Sequence, residues 1–273
     1  MTMTARVPVP DEGELRFGSV RLPPGRLLRL GEDADEPVAW ITETAAPKPG
    51  PVWSALSALH SQTGLAPVLV PAGRGDDLEV VCCDPADVAD VDEVDAAAVI
   101  EYLWPGSLHE SWPTGPVPEE EREWADEMAA PFISGYPGLA PAVDQALSPD
   151  VLEASLRSFP ASRIALFPAD RPADVLPVLG WCPGNWDGAL SVATAVGFAA
   201  VLRSWEERFG ARLFALTHDQ AWLLVERPPR DLDAALLVAA EHFVFCDEPA
   251  GRQSVRTTAA EITGAPVWYF WWD

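Results

Sequence analysis

The sequence predicts an α+β protein whose C-terminal mixed sheet is flanked by helices, and three observations predict it. From residue 162 onward, apolar segments follow one another as strand, helix, a hairpin of two strands, helix and strand. That is the ferredoxin-like, split βαβ order. Within 191–210, Val192, Ala195, Ala199, Leu202, Trp205 and Phe209 recur at spacings of three and four, which gives a helix one apolar face. The stretch VWYFWWD (267–273) places aromatic side chains alternately on both sides of an extended chain. Ahead of this unit lies a smaller α+β unit. The expected organisation is an N-terminal α+β unit (1–104), a Pro-rich and acidic connecting region (105–158) and a C-terminal α+β domain (159–273).

Each element has its own signal. RLLRL (26–30) and VAWITET (38–44) read as early strands. PVWSALSALHSQTG (51–64) is a helix with Pro51 near its start and Gly64 just past its end, the asymmetry helices favour. LAPVLVPA (65–72) is a strand, and DLEVVCC (77–83) is its expected hairpin partner across the Gly73–Gly75 turn. Asp84-Pro85 opens a short helical turn, and Asp95 caps a helix over AAAVIEYLW (96–104). PGSLHESWPTGPVP (105–118) lacks periodicity and reads as a loop, followed by the acidic helix EEEREWADEMAA (119–130). Pro131, Pro137, Pro141 and Pro149 predict an irregular remainder of the middle region.

SRIALFPA (162–169) is a strand, and Gly210 ends the long helix 191–210. ARLFALTHD (211–219) and AWLLVERPP (221–229) form a hairpin. DLDAALLVAAEHFVF (231–245) and VRTTAAEITG (255–264) are helices. In a ferredoxin-like layout the last strand lies beside the first, inside the sheet. Val267, Tyr269 and Trp271 then face one way and Trp268, Phe270 and Trp272 the other, so the strand is expected to be covered on both faces. The helix–strand–hairpin–helix order of 51–104 resembles that of 191–245, as a duplicated module or as chance recurrence.

Charge narrows the function classes. Forty-two acidic residues stand against 18 basic ones, of which Lys48 is the one lysine, for a formal net charge of −24. Nucleic acid and anionic membrane surfaces are disfavoured as partners, because both need clustered Lys and Arg. The charge suits solubility or a basic protein partner. The first residues, MTMTARVPVPDEGELRF, hold no apolar core of signal-peptide length. ALSVATAVGFAAVL (189–202), broken by Ser191, Thr194 and Gly197, is too short to span a bilayer and reads as a buried helix. Cys82, Cys83, Cys182 and Cys246 form no C-x-x-C pair and are expected to be reduced, in a cytoplasmic protein.

Four stretches carry a family resemblance: FPASRIALFPADRPADVLPVLGW (159–181), LRSWEERFGARLFAL (202–216), AAEHFVFC (239–246) and the closing WYFWWD. In this order they resemble a bacterial family known as domain of unknown function 4253. TGLAPVLV (63–70) resembles the region that precedes the domain in long members. The resemblance implies a C-terminal domain and a bacterial, cytoplasmic setting. It supplies no reaction, ligand or catalytic residue.

The motifs exclude more than they assign. No G-x-x-x-x-G-K-[ST], G-x-G-x-x-G, H-E-x-x-H or G-x-S-x-G occurs. His242 with Cys246, and His218 with Asp219, could each lend two ligands to a zinc site, but two ligands are not a site, and neither metal nor cofactor is expected. Cys182, in GWCPGNW (180–186), is the candidate nucleophile if its loop is exposed and a histidine lies near it; the alternative is buried filler. Glu206-Glu207 and Glu119 to Glu121 read as solvated helix faces. Twelve tryptophans are unusual, and Trp181, Trp186 and Trp222, with Asn185, are the candidate binding residues, as pocket wall or interaction hot spot; the alternative is packing over the hydrophobic layers. The leading expectation is a non-enzymatic, acidic, cytoplasmic binding protein for a basic protein partner, immunity-like or regulatory. The alternatives are an enzyme or small-ligand binder with its pocket around GWCPGNW, and a structural subunit of a larger assembly.

Overall fold

A computed structural model describes residues 7–30, 36–73, 78, 85–108, 118–183, 195–246 and 253–272. The strands are β1 (Gly13–Phe17), β2 (Val20–Leu28), β3 (Ala39–Thr42), β4 (Leu65–Pro71), β5 (Ser162–Pro168), β6 (Ala211–Leu216), β7 (Gln220–Val225) and β8 (Val267–Trp271). They form one eight-stranded mixed sheet in the order β1-β2-β3-β5-β4-β6-β7-β8. β4 and β6 run parallel; the other neighbours are antiparallel. Strands from both sides of residue 159 therefore alternate in a single sheet.

The helices are α1 (Pro49–Thr63), α2 (Ala96–Leu108), α3 (Glu119–Ala129), α4 (Pro149–Arg157), α5 (Val175–Leu179), α6 (Ala195–Phe209), α7 (Leu232–Phe245) and α8 (Val255–Ile262). On one face of the sheet, Trp53 and Leu56 of α1 and Leu156 of α4 pack on Trp40, Leu69, Leu166 and Phe214. On the other, α2, α5, α6, α7 and α8 bury their apolar sides in the larger core. An α+β fold with a mixed sheet and flanking helices is thus what the chain adopts.

Local signals account for most element ends. Gly64 stops α1 in the left-handed conformation (φ +65°), its N–H donating to the His60 carbonyl at 2.7 Å, and the chain runs straight into β4. Leu65 to Val70 of β4 are all buried, as a strand held between neighbours and covered on both faces requires. Asp95 accepts from the Ala97 N–H at 2.9 Å, as its place before α2 predicts, but α2 continues through Pro105 to Leu108 rather than yielding to a loop. Gly50 lies where a Cβ would collide with the Leu156 carbonyl, so its lack of side chain lets α1 and α4 touch.

Several expectations are corrected. α4 forms where prolines predict irregular chain, because Pro149 sits in the first turn, where its missing N–H has no intrahelical partner to lose. The β1–β2 hairpin had no sequence expectation at β1. DLEVVCC lies, apart from Leu78, outside the described residues, and both flanks of β4 are taken by β5 and β6. Glu206 and Glu207 both pair with Arg171, each at 2.9 Å. β8 does not lie beside β5: both flanks of β5 are occupied, by β3 and β4 from the N-terminal half. β8 instead continues the β6–β7 meander and ends the sheet, so the ferredoxin-like arrangement is not present. Nor is β8 covered on both faces, since Trp268, Phe270 and Trp272 are buried while Tyr269 is 53% exposed.

Candidate functional site

Beside β8 a cleft of about 310 Å³ opens between the sheet and the last two helices. Its walls are His242, Phe243 and Cys246 at the end of α7, Thr258, Glu261 and Ile262 of α8, Gln253 before it, and every residue of β8. Two caps place the helices. The Asp231 carboxylate accepts from the Ala234 N–H at 2.9 Å to start α7, and the Ser254 hydroxyl accepts from the Thr257 N–H at 3.2 Å to start α8. α7 is mostly alanine, valine and leucine, and Ala235, Ala239 and Ala240 are fully buried.

Under the cleft an aromatic layer fixes β8. Trp205 of α6 stacks on Phe270 at 5.5 Å between ring centres and meets Trp268 edge-on at 5.6 Å. His242 packs against Trp268 at 4.5 Å and Phe270 at 4.8 Å. Behind this layer Glu241, fully buried, accepts four hydrogen bonds. Its Oε1 takes the Ala140 N–H (2.7 Å) and Arg208 Nη1 (2.8 Å); its Oε2 takes Arg208 Nη2 (2.6 Å) and the Trp205 indole N–H (2.7 Å). Arg208 Nη1 also donates to the Ala140 carbonyl at 2.8 Å, which pins the irregular segment before α4 across α6 and α7. Burial first, then the charge of Glu241, pushes the nearby Tyr136 hydroxyl well above its ordinary range, so it stays protonated.

Every wall of the cleft and most of its support thus come from the last two-fifths of the chain. Residues 163–273 match the domain of unknown function DUF4253. The resemblance carried by the four sequence stretches is shown over this segment. No curated protein and no solved structure matches the chain. Within the sheet, two strands of the DUF4253 segment, β5 and β6, are joined through β4, which precedes the segment.

Trp181 and Trp222, two of the residues singled out from sequence, do not converge inside the DUF4253 segment. Trp181 is buried in the larger core, its indole N–H donating to the Thr217 carbonyl at 2.7 Å. Trp222 lies on the opposite face of the sheet, against Phe159 and Tyr269. Cys182, read from sequence as a nucleophile in an exposed loop or as buried filler, is only 3% exposed, because the chain after α5 turns inward with Trp181. Asn185 and Trp186 lie outside the described residues. Cys246 sits at the α7 C-cap and its thiol donates to the Trp271 carbonyl at 3.0 Å. Among the described residues no three His, Cys, Asp or Glu side chains gather as metal ligands, and no helix is long and apolar enough to cross a membrane. Glu241, Arg208 and Glu261 had no place in the sequence reading. A lone acid inside the apolar run LLVAAEHFVF was the one available sign of Glu241.

His242 makes the site sensitive to pH through stability. Burial first, and the Arg208 guanidinium second, lower its imidazole from the ordinary 6.5 to about 3. The unfolded chain takes up this proton near pH 6.5, whereas the folded chain refuses it until about pH 3. The stability is therefore fully present above pH 6.5 and is lost as pH falls toward 3, with a slope of at most about 1.4 kcal/mol per pH unit. Urea unfolding between pH 6.5 and about 5, above most carboxylate titration, is expected to show this slope, and His242→Phe to flatten it. Equal slopes for the two proteins would mean that His242 titrates alike folded and unfolded.

Proposed function

We propose that this chain is an acidic, non-enzymatic binding protein of the cytoplasm, immunity-like or regulatory in role, which takes a basic protein partner at the cleft between α7, α8 and β8. One observation carries the reading. Among the described residues that line the cleft, Glu261 is the one that carries a formal charge, and it does so in a chain of net charge −24. His242, the other titratable base there, stays neutral at physiological pH. Lysine or arginine from a partner thus meets the Glu261 carboxylate, and no cation stands among the described residues that line the cleft.

Labelled oligolysine is the probe. Its affinity is expected to fall steeply as salt rises from about 0.1 M to about 1 M, where screening shortens from about 10 Å to about 3 Å. Glu261→Gln is expected to weaken binding more than Glu14→Gln, which makes the same charge change on β1 at the far edge of the sheet. Affinity indifferent to salt, or equal loss in the two variants, sinks the reading. A second reading is a small hydrogen-bonding ligand in the same cleft. It is favoured by His242 Nε2 and Trp268 Nε1, two buried atoms on cleft-wall residues with no hydrogen-bond partner among the described residues.

A further inference from the structure

We propose that β8 accepts an extended, basic segment of the partner as one more strand of the sheet. The inference rests on the partner reading above and specifies how the partner is held. β8 is the last strand of the order, with β7 as its one described neighbour. Two hydrogen bonds set the phase of that pairing: Val225 N–H to the Pro266 carbonyl at 2.8 Å and Trp272 N–H to the Asp219 carbonyl at 2.9 Å. In an antiparallel ladder alternate residues face the neighbour. Residues 266, 268, 270 and 272 thus turn their backbone groups toward β7, and Val267, Tyr269 and Trp271 turn theirs outward. The Trp271 carbonyl takes the Cys246 thiol. The N–H and carbonyl of Val267 and Tyr269 meet no partner among the described residues.

The cleft lies along this same edge. It is lined by all five residues of β8, whose side chains alternate between the two faces of the sheet. An edge left open in this way is ordinarily guarded by lysine, proline or a bulge. VWYFW contains neither residue, and its register with β7 runs without a shift. Such a strand is a template for main-chain pairing, with pockets for alternate side chains supplying selectivity. Here one set of side chains would meet Glu261 on the α8 wall, and the other would pass over the exposed ring of Tyr269, an attractive surface for a cation. A second copy of this chain fits less well, because pairing β8 with β8 would bring two chains of net charge −24 together.

The test uses the full chain and a short labelled peptide of alternating lysine and threonine, read by fluorescence anisotropy. Its counterpart has the same side chains but is N-methylated at alternate residues, so charge is kept and ladder bonds are lost. Strand addition predicts a loss of roughly tenfold or more for the methylated peptide. It predicts a similar gap between Tyr269→Pro and Tyr269→Ala, since proline removes the outward N–H and is tolerated on an edge strand, while alanine keeps it. The Tyr269→Ala protein should also show slowed amide exchange at Val267 and residue 269 when the peptide binds. If methylation and proline cost nothing, binding is by surface charge alone: strand addition falls and the partner reading stands. If neither peptide nor oligolysine binds at low salt, both fall. If the chain is a dimer that Tyr269→Pro dissociates, the edge belongs to a second copy and the proposal is overturned. Should Tyr269→Pro fail to fold, the methylated peptide against the wild-type chain decides.

Discussion

Replacing Arg208 with methionine is expected to cost about 3–5 kcal/mol of unfolding free energy, measured by urea denaturation at neutral pH. Glu241 has no exposure at all, and the guanidinium of Arg208 grips both of its oxygens, at 2.8 and 2.6 Å. Without that partner a carboxylate remains in the core with two neutral donors, the Ala140 N–H and the Trp205 indole. Those two bonds do not offset the removal of a full charge from water. Arg208→Met/Glu241→Met is expected to lose less than the sum of its two single variants, because each single leaves a charge unpaired and the double leaves none. Additive losses would mean that the pair does not couple and that its geometry overstates its strength. The pair also ties α6 to α7 and to the segment that carries Ala140, so it holds the layer against which β8 is packed.

The second large effect separates neighbouring positions of β8. Trp268→Ala is expected to cost about 3–5 kcal/mol, the range for deleting a large buried aromatic. Trp268 is 1% exposed and wedged among Trp205, Phe209 and His242. Tyr269→Ala, one residue on, is expected to cost less than about 1 kcal/mol, as for most surface positions. Among the described residues its ring meets the aromatic ring of Trp222 at 5.1 Å and its hydroxyl donates to Gln220 at 3.3 Å. Equal costs from urea unfolding would contradict a strand with one buried and one open face. Deletion of 267–273 is expected to unfold the sheet's last layer rather than trim a tail, since it removes Trp268, Phe270 and Trp272 together. It follows that a partner of β8 meets its outward edge, the cleft beside α8 and the Tyr269 ring, while Trp268, Phe270 and Trp272 stay committed to the core.

How much of the site was legible depends on which forces place it. The β8 strand and the α7 and α8 helices were readable, because alternation, helical spacing and the Asp231 cap are local signals. The cleft they enclose was not. Its open wall exists because β8 ends the sheet, and that depends on β3 and β4 occupying both sides of β5. The places of Trp181 and Trp222 were not legible for a related reason. Trp181 and Trp222 both flank loops in the sequence, but the pleat and the meander send them to opposite faces of the sheet. The Gly and Pro neighbours of Cys182 left both an exposed thiol and buried filler open, and the turn after α5 carries it inward beside Trp181.

The sequence by itself determined the kind and place of most elements, the α+β class and the acidic character. These follow from interactions within a few residues, namely caps, glycine stops and side-chain periodicity, or from composition alone. Only the tertiary structure decided the strand order, the place of β8 at its end and the burial of Glu241 against Arg208. Pairings such as Leu69 with Ile164 join β4 to β5 across a long stretch of chain. Their selection depends on which apolar faces can be covered at once, and no local window of residues contains that competition.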